Sequence, residues 1–167
     1  MKEIKHVVQF SGGKDSTCML LMMLEKGMPV DDIIFCDTGM EFPALYEHID
    51  EVEKYIGRKI TRLKAEHSYE YMMYCNKRKR GNHTDVIGYG WPTMQIRWCT
   101  KYFKIGLFQK YFKHKNCIIY IGIAADEPRR HKNIASNVRH PLFEWGITEA
   151  QALSFCYAHK FYGGGYL

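Results

Sequence analysis

Six consecutive residues, Ser11-Gly12-Gly13-Lys14-Asp15-Ser16, combine side chains and spacing suited to holding a polyphosphate. They follow the apolar run His6-Val7-Val8-Gln9-Phe10 and precede Thr17-Cys18-Met19-Leu20-Leu21-Met22-Met23-Leu24. That order reads as strand, glycine turn, helix. The glycines let backbone N–H groups approach an anion, and the new helix offers unpaired N–H groups and the positive end of its dipole. Lys14 adds a point charge suited to phosphate. Asp15 adds a carboxylate able to hold Mg²⁺ beside phosphate oxygens, and Ser11 and Ser16 supply hydroxyls. The plainer reading of the same residues is a glycine turn with a capping Ser or Asp. The loop is not a Walker A motif, which needs four residues between its first glycine and Gly-Lys-[Ser/Thr].

The elements that must position this loop follow from periodicity. A helix is expected over about Asp15 to Lys26, stopped by Gly27 and Pro29. Ile33-Ile34-Phe35-Cys36 is a short apolar run typical of a buried parallel strand. It ends in Asp37-Thr38-Gly39, at the edge of an α/β sheet where ligands bind; turn-making and helix capping are the competing roles for Asp37 and Thr38. A second helix is expected from about Ala44 to Ile56, with Leu45, Ile49, Val52 and Ile56 on one face. Lys59 to Leu63 alternates as a third strand. The βαβαβ order predicts a doubly wound sheet.

Beyond Ser68 the pattern weakens. Tyr69, Met72 and Met73 suggest a short helix, Lys77 to Gly90 a long lid or binding loop, and Arg97 to Phe112 another helix. Cys117 to Ile123 is a clear strand. It leads into Ala124-Ala125-Asp126-Glu127-Pro128-Arg129-Arg130-His131-Lys132, where Arg129 or Arg130 is placed to meet phosphate or ribose. An exposed charged turn is the alternative. Thr148 with Gln151 forms a capping box for a helix running to about His159. Phe161 to Tyr166 is glycine-rich and aperiodic.

With 167 residues, 46% of them hydrophobic, the chain reads as one domain with a substantial core. No apolar run reaches the ~18 residues that would span a bilayer, and the N-terminal residues lack a secretory pattern. No membrane partner and a cytoplasmic location are therefore expected. The net charge is +6, concentrated in part in Lys77-Arg78-Lys79-Arg80. That cluster suits nucleotide or nucleic acid, or is simply a solvated basic loop. Six cysteines stand singly, without Cys-x-x-Cys, so no metal or cluster site of close pairs is written here. Cys18, Cys36 and Cys117 lie in apolar runs and are expected to be buried. Cys99 and Cys156 have polar neighbours and are the candidates for chemistry.

Ser-Gly-Gly-x-Asp-Ser after a strand resembles the PP-loop of the adenine nucleotide α-hydrolase superfamily. Asp37-Thr38-Gly39-x-Glu41-Phe42-Pro43, Arg97-Trp98-Cys99-Thr100 with Lys101 and Lys104, Gly122 followed by Asp126-Glu127-Pro128-Arg129, and Pro141-Leu142-x-x-Trp145-Gly146-Ile147-Thr148 add to it. Together they resemble the phosphoadenosine phosphosulfate (PAPS) reductase-like family. The resemblance implies a Rossmann-like, mostly parallel five-stranded sheet that binds an adenine nucleotide. It implies a phosphate cradle at Ser11–Ser16, an adenosine edge at Asp37-Thr38-Gly39, and contacts from Arg97 and Arg129 to the anionic part of the substrate.

Two departures shape the expectation. The intact loop favours ATP over PAPS, with cleavage between the α and β phosphates and adenylyl transfer. Similar proteins continue past a glycine-rich stretch into a Cys-rich segment, so the chain is expected to be either a truncated piece or a shortened form, lacking a reductase's C-terminal nucleophilic Cys. In the leading reading Gly12, Gly13 and Lys14 hold pyrophosphate, and Asp15 with Asp37 holds Mg²⁺. Lys14, Asp15, Arg97 and Cys99 are the expected catalytic residues, with Gly122 and Arg129 in the nucleotide site. The alternatives are a sulfonucleotide reductase using Cys99 or a missing downstream Cys, with a thiol or sulfur-donor protein, and a binding module for nucleotide or nucleic acid. A homodimer is compatible with all three.

Overall fold

The computed structural model describes residues 4–80, 83–113, 115–132 and 134–162. They divide into two compact units, Met1–Phe35 with Phe42–Arg62 and His114–Leu167, and Cys36–Glu41 with Leu63–Lys113.

The first unit is built around β1 (Lys5–Gln9). Its residues Val7 and Val8 are fully buried. Next come α1 (Lys14–Glu25), β2 (Asp32–Asp37), α2 (Pro43–Ile56) and β3 (Thr61–Lys64). Ile49 and Val52 of α2 are fully buried, and Leu45 and Ile56 flank them against the core, as the helical spacing predicts. β3 begins two residues later than its alternation suggests and carries no buried side chain, as befits an edge strand.

After the second unit the chain returns as β6 (Cys117–Ile121), then β7 (Val138–Arg139), α5 (Pro141–Glu144) and α6 (Glu149–Ala158). The two-residue β7 and one-turn α5 are too short to leave a periodic trace in sequence. The strand order is β3-β2-β1-β6-β7. β1 pairs in parallel with β2 on one side and β6 on the other, with Gln9 opposite both Ile34 and Ile121. The expected Rossmann-like, doubly wound parallel sheet is therefore the fold. Successive crossovers run outward from β1 in one direction, and the later strands extend it in the other. The loop after β1 thus emerges at the topological switch point, where a crevice opens beyond the strand ends.

α6 starts as its sequence predicts. Thr148 Oγ1 accepts from Gln151 N at 3.3 Å, and Gln151 Oε1 accepts from Thr148 N at 2.9 Å. Residues 163–167 of the glycine-rich end lie outside the described residues.

The second unit departs further from expectation. The short helix is a π-helical turn, Tyr71–Cys75. The expected loop is an antiparallel hairpin of β4 (Lys77–Arg80) and β5 (His83–Ile87), its register shifted between Arg78 and Arg80. Basic side chains hide the alternation that would have marked these strands. The helix expected from Arg97 is α3 (Trp98–Thr100), a π-helical stretch at Lys101–Ile105 and α4 (Gly106–Phe112) in succession. A separate small core of Met72, Met73, Trp98 and Phe103 holds the unit together.

The capping box gives a stability prediction. Thr148→Ala should cost about 1 kcal/mol and lower the melting temperature by roughly 2–4 °C, read by thermal and urea unfolding with the denaturant slope unchanged.

Candidate functional site

The site is assembled from three carboxyl-edge or helix-start segments of the first unit: the loop after β1, the residues after β6, and the start of α6. Gly12 sits at φ +81°, and a Cβ there would stand 2.6 Å from Leu45 Cδ1. Only glycine lets the chain turn at this point under α2. Gly13 then opens α1 with no side chain capping it. A helix start without a side-chain cap is suited to an external acceptor. Ser16 Oγ braces the turn, accepting from Ser11 N at 3.2 Å and donating to Gly13 O at 2.9 Å.

Gly122, just past β6, lies against the same turn. A Cβ there would meet Asp15 C and Ser16 N at 2.9 Å each. The missing side chain lets the sheet edge and the helix start touch. Ser11, Gly13, Lys14, Asp15, Ser16, Gly122 and Arg130 line one cavity of about 360 Å³.

Charge in this cavity is balanced by a residue that sequence reasoning passed over. Lys14 Nζ lies 3.3 Å from Asp15 Oδ2 and 2.9 Å from Oε2 of Glu149, the first residue of α6. Burial disfavours the ammonium, but the bond to Glu149 and the charge of Asp15 outweigh it and hold the Lys14 pKa above the ordinary lysine value. Burial, aided by the charges of Glu149 and Glu127, pushes the Asp15 carboxyl up despite Lys14. Asp15 Oδ1 is buried and has no hydrogen-bond partner among the described residues. An orphaned carboxylate oxygen beside an anion cradle fits a hard divalent cation that takes most of its ligands from phosphate and water. Among the described residues no group of three or more His, Cys, Asp or Glu forms an all-protein cage.

Glu149 is itself fixed: its N–H donates to Asp126 Oδ1 at 3.0 Å. Ala125 N bonds Ile147 O at 2.8 Å. The capping box signalled the helix start, but nothing local signalled that its first residue reaches Lys14. Much of the charged cluster after β6 is satisfied internally, since Arg130 grips Glu127 at 2.7 and 2.9 Å. Arg129 is exposed, and Arg130 is the arginine that lines the cavity.

The remaining expected site residues belong to the second unit. Asp37, Thr38 and Gly39 line a cleft of about 420 Å³ with Lys64, Tyr69 and Phe103 among its walls. Asp37 is buried, accepts from Gly39 N at 2.9 Å and pairs with Lys64 Nζ at 3.3 Å. Thr38 Oγ1 donates to Glu41 Oε1 at 3.0 Å. The turn-making role of this stretch is thus real, alongside its place on a cleft. Arg97 is exposed at the start of α3, and Cys99 is half-buried against the aromatic core of its unit.

Cys156 is corrected by the structure. It is fully buried on α6, its thiol donates to Lys14 O at 3.4 Å, and burial pushes its pKa up to about 11. It braces α1 from within the core rather than facing the cavity residues as an exposed thiol. Cys18 and Cys36 are buried as expected, with pKa values pushed up to about 12 and about 11.

Residues 5–149 match the phosphoadenosine phosphosulfate reductase domain family. The chain belongs to that family. A protein of Methanocaldococcus jannaschii is 30% identical over 152 residues, covering 83% of this chain and 29% of its own length. The nin region protein ORF290 of Escherichia phage lambda is 32% identical over 146 residues, covering 76% of this chain and 50% of its own. The chain therefore spans half or less of the length of these two relatives. Among solved structures, PAPS reductase from Candida auris, in a phosphate complex, superposes with TM-score 0.58 at 19% identity, over 92% of this chain and 72% of that one. The U34-tRNA thiolase NcsA of Methanococcus maripaludis, with its [4Fe-4S] cluster, gives 0.59 at 15% identity, over 100% and 61%. At these identities the likeness is one of fold. Among the described residues no helix is long and apolar enough to cross a membrane.

Two measurements follow from this geometry. Lys14→Ala should weaken inorganic pyrophosphate binding at least about tenfold, and Glu149→Gln should tighten it several-fold by releasing the ammonium. In the Lys14→Ala background the Glu149 effect should shrink, a coupling that calorimetry on the four proteins reads directly. Alkylation of the native protein near pH 8 should label Cys75 and Cys99, while Cys18, Cys36, Cys117 and Cys156 react only after unfolding.

Proposed function

We propose that this chain binds an adenine nucleotide and cleaves ATP between its α and β phosphates, passing the adenylyl group to an acceptor and releasing pyrophosphate. The observation that supports this reading most is the uncapped start of α1, with Lys14 in a cavity it shares with Ser11, Gly13, Gly122 and Arg130. Such a cradle suits the charge that collects on departing pyrophosphate more than any neutral ligand.

In this reading the acceptor attacks the α phosphorus, the bond to the α–β bridging oxygen breaks, and its electron pair leaves with the pyrophosphate. Main-chain N–H groups of the loop after β1 and the Lys14 ammonium receive that charge. Glu149 and Asp15 hold Lys14 in place before the anion arrives. Asp15 would hold Mg²⁺ through its orphaned Oδ1. Mg²⁺ held there would supply charge neutralisation for the phosphates. Arg130 on the cavity and Arg129 beside it supply further positive charge for the substrate. The family resemblance implies an adenosine edge at Asp37, Thr38 and Gly39, and the cleft they line with Tyr69 and Phe103 offers the apolar surface a purine needs.

Family membership favours a second reading, reduction of a sulfonucleotide. Cys99 would be the thiol, served by a thiol or sulfur-donor protein. Parallel calorimetry with ATP·Mg²⁺, PAPS and AMP separates the two. ATP bound more tightly than PAPS, with pyrophosphate released in the presence of an acceptor and lost in Lys14→Ala, is the expected result. Preference for PAPS with thiol-dependent sulfite release would overturn the leading reading in favour of the second.

A further inference from the structure

The chain's positive charge is unevenly placed. The unit formed by Cys36–Glu41 and Leu63–Lys113 holds ten of the 24 Lys and Arg but only five of the 18 Asp and Glu. Nearly all of the net +6 therefore lies in about a third of the chain. The same third holds eleven of the 24 aromatic residues.

Part of that aromatic surface is ordered into a ladder of rings and cations. Arg78 Cζ stands 4.8 Å over the Tyr89 ring. The Tyr89 and Tyr102 rings are 5.6 Å apart, with their hydroxyls 2.8 Å from one another. Lys101 Nζ is 5.9 Å from the Tyr102 ring. Behind the ladder Tyr89 stacks on buried Trp98 at 5.6 Å, and Trp98 Nε1 donates to Gly90 O at 3.1 Å. The rings are therefore held in place before any partner arrives. Tyr102 is 38% exposed, and Trp91, next to Gly90, is 69% exposed.

We infer that this face binds single-stranded nucleic acid. Fixed aromatic rings give bases a stacking platform whatever their sequence, and interleaved Arg and Lys track the phosphates. A protein partner would be met by a less charged apolar patch, and a duplex would hide its base faces from the rings. The inference concerns residues other than those of the proposed phosphate cradle and does not rest on the nucleotide reading.

The test is fluorescence anisotropy of the full chain with labelled 20-mers of U, of dT, and of an abasic strand of equal charge. Binding of U20 and dT20 should weaken steeply with salt, and the abasic strand should bind about tenfold more weakly or worse. Tyr102→Ala should lose about tenfold, whereas Tyr102→Phe, which keeps the ring, should bind like the parent. Lys101→Ala should flatten the salt dependence by a little under one ion. Pyrophosphate titration of the same Tyr102 and Lys101 variants should match the parent, so failure here and failure of the nucleotide reading are distinguishable. Equal affinity for the abasic strand, or an unaffected Tyr102→Ala with circular dichroism showing a native fold, would overturn the inference and leave a non-selective basic surface.

Discussion

Everything in the first unit depends on one close approach: the opening turn of α1 lies directly on the chain leaving β6. Gly122 makes it feasible because a side chain there would collide with the Asp15 and Ser16 backbone. The contact brings the helix start to the switch point of the sheet and leaves its N–H groups facing outward, uncapped. A protein normally satisfies such donors with a neighbouring Ser, Thr or Asp. Here Ser11 Oγ accepts from Gly13 N at a long 3.5 Å, and Ser16 Oγ is turned back into the loop, where it braces Ser11 and Gly13. A helix start without a side-chain cap suits an anion.

α6 completes the arrangement from the opposite direction. Its first residue anchors Lys14 through Glu149, and its buried Cys156 donates to the Lys14 carbonyl. Side chain and main chain of the same lysine are thus held by one helix. The cost is an acidic neighbour beside a phosphate cradle. The gain is a lysine whose ammonium is placed and charged without ligand, so less order has to be created on binding. Cys156 matters for packing, and its chemistry is silenced by burial.

How much of this could be read from residue order differed by element. The β1–loop–α1 unit, the buried β2 and the capping box of α6 were legible because each rests on local rules: continuous apolar runs, glycine at a turn, and a hydroxyl three residues before an amide. The family resemblance added the strand ends as ligand edges. The Lys14–Glu149 pair was not legible, since 135 residues separate the partners and only the tertiary fold joins them. Nor was the choice of Arg130 over Arg129 at the cavity, which depends on how the turn after β6 rotates. The hairpin at Lys77–Arg80 and His83–Ile87 was read as a loop because its strands are polar and basic, so no hydrophobic alternation betrayed them. The burial of Cys156 was missed because its polar sequence neighbours lie on other faces of the same helix.

The account stands or falls on the start of α1 receiving an anion through its main chain. Titration of ¹⁵N-labelled protein with ATP·Mg²⁺ reads that directly. The largest downfield shifts should fall on the amides of Gly13, Lys14, Asp15 and Ser16, with Gly122 moving alongside. Saturable ATP binding that leaves those amides unshifted would contradict it.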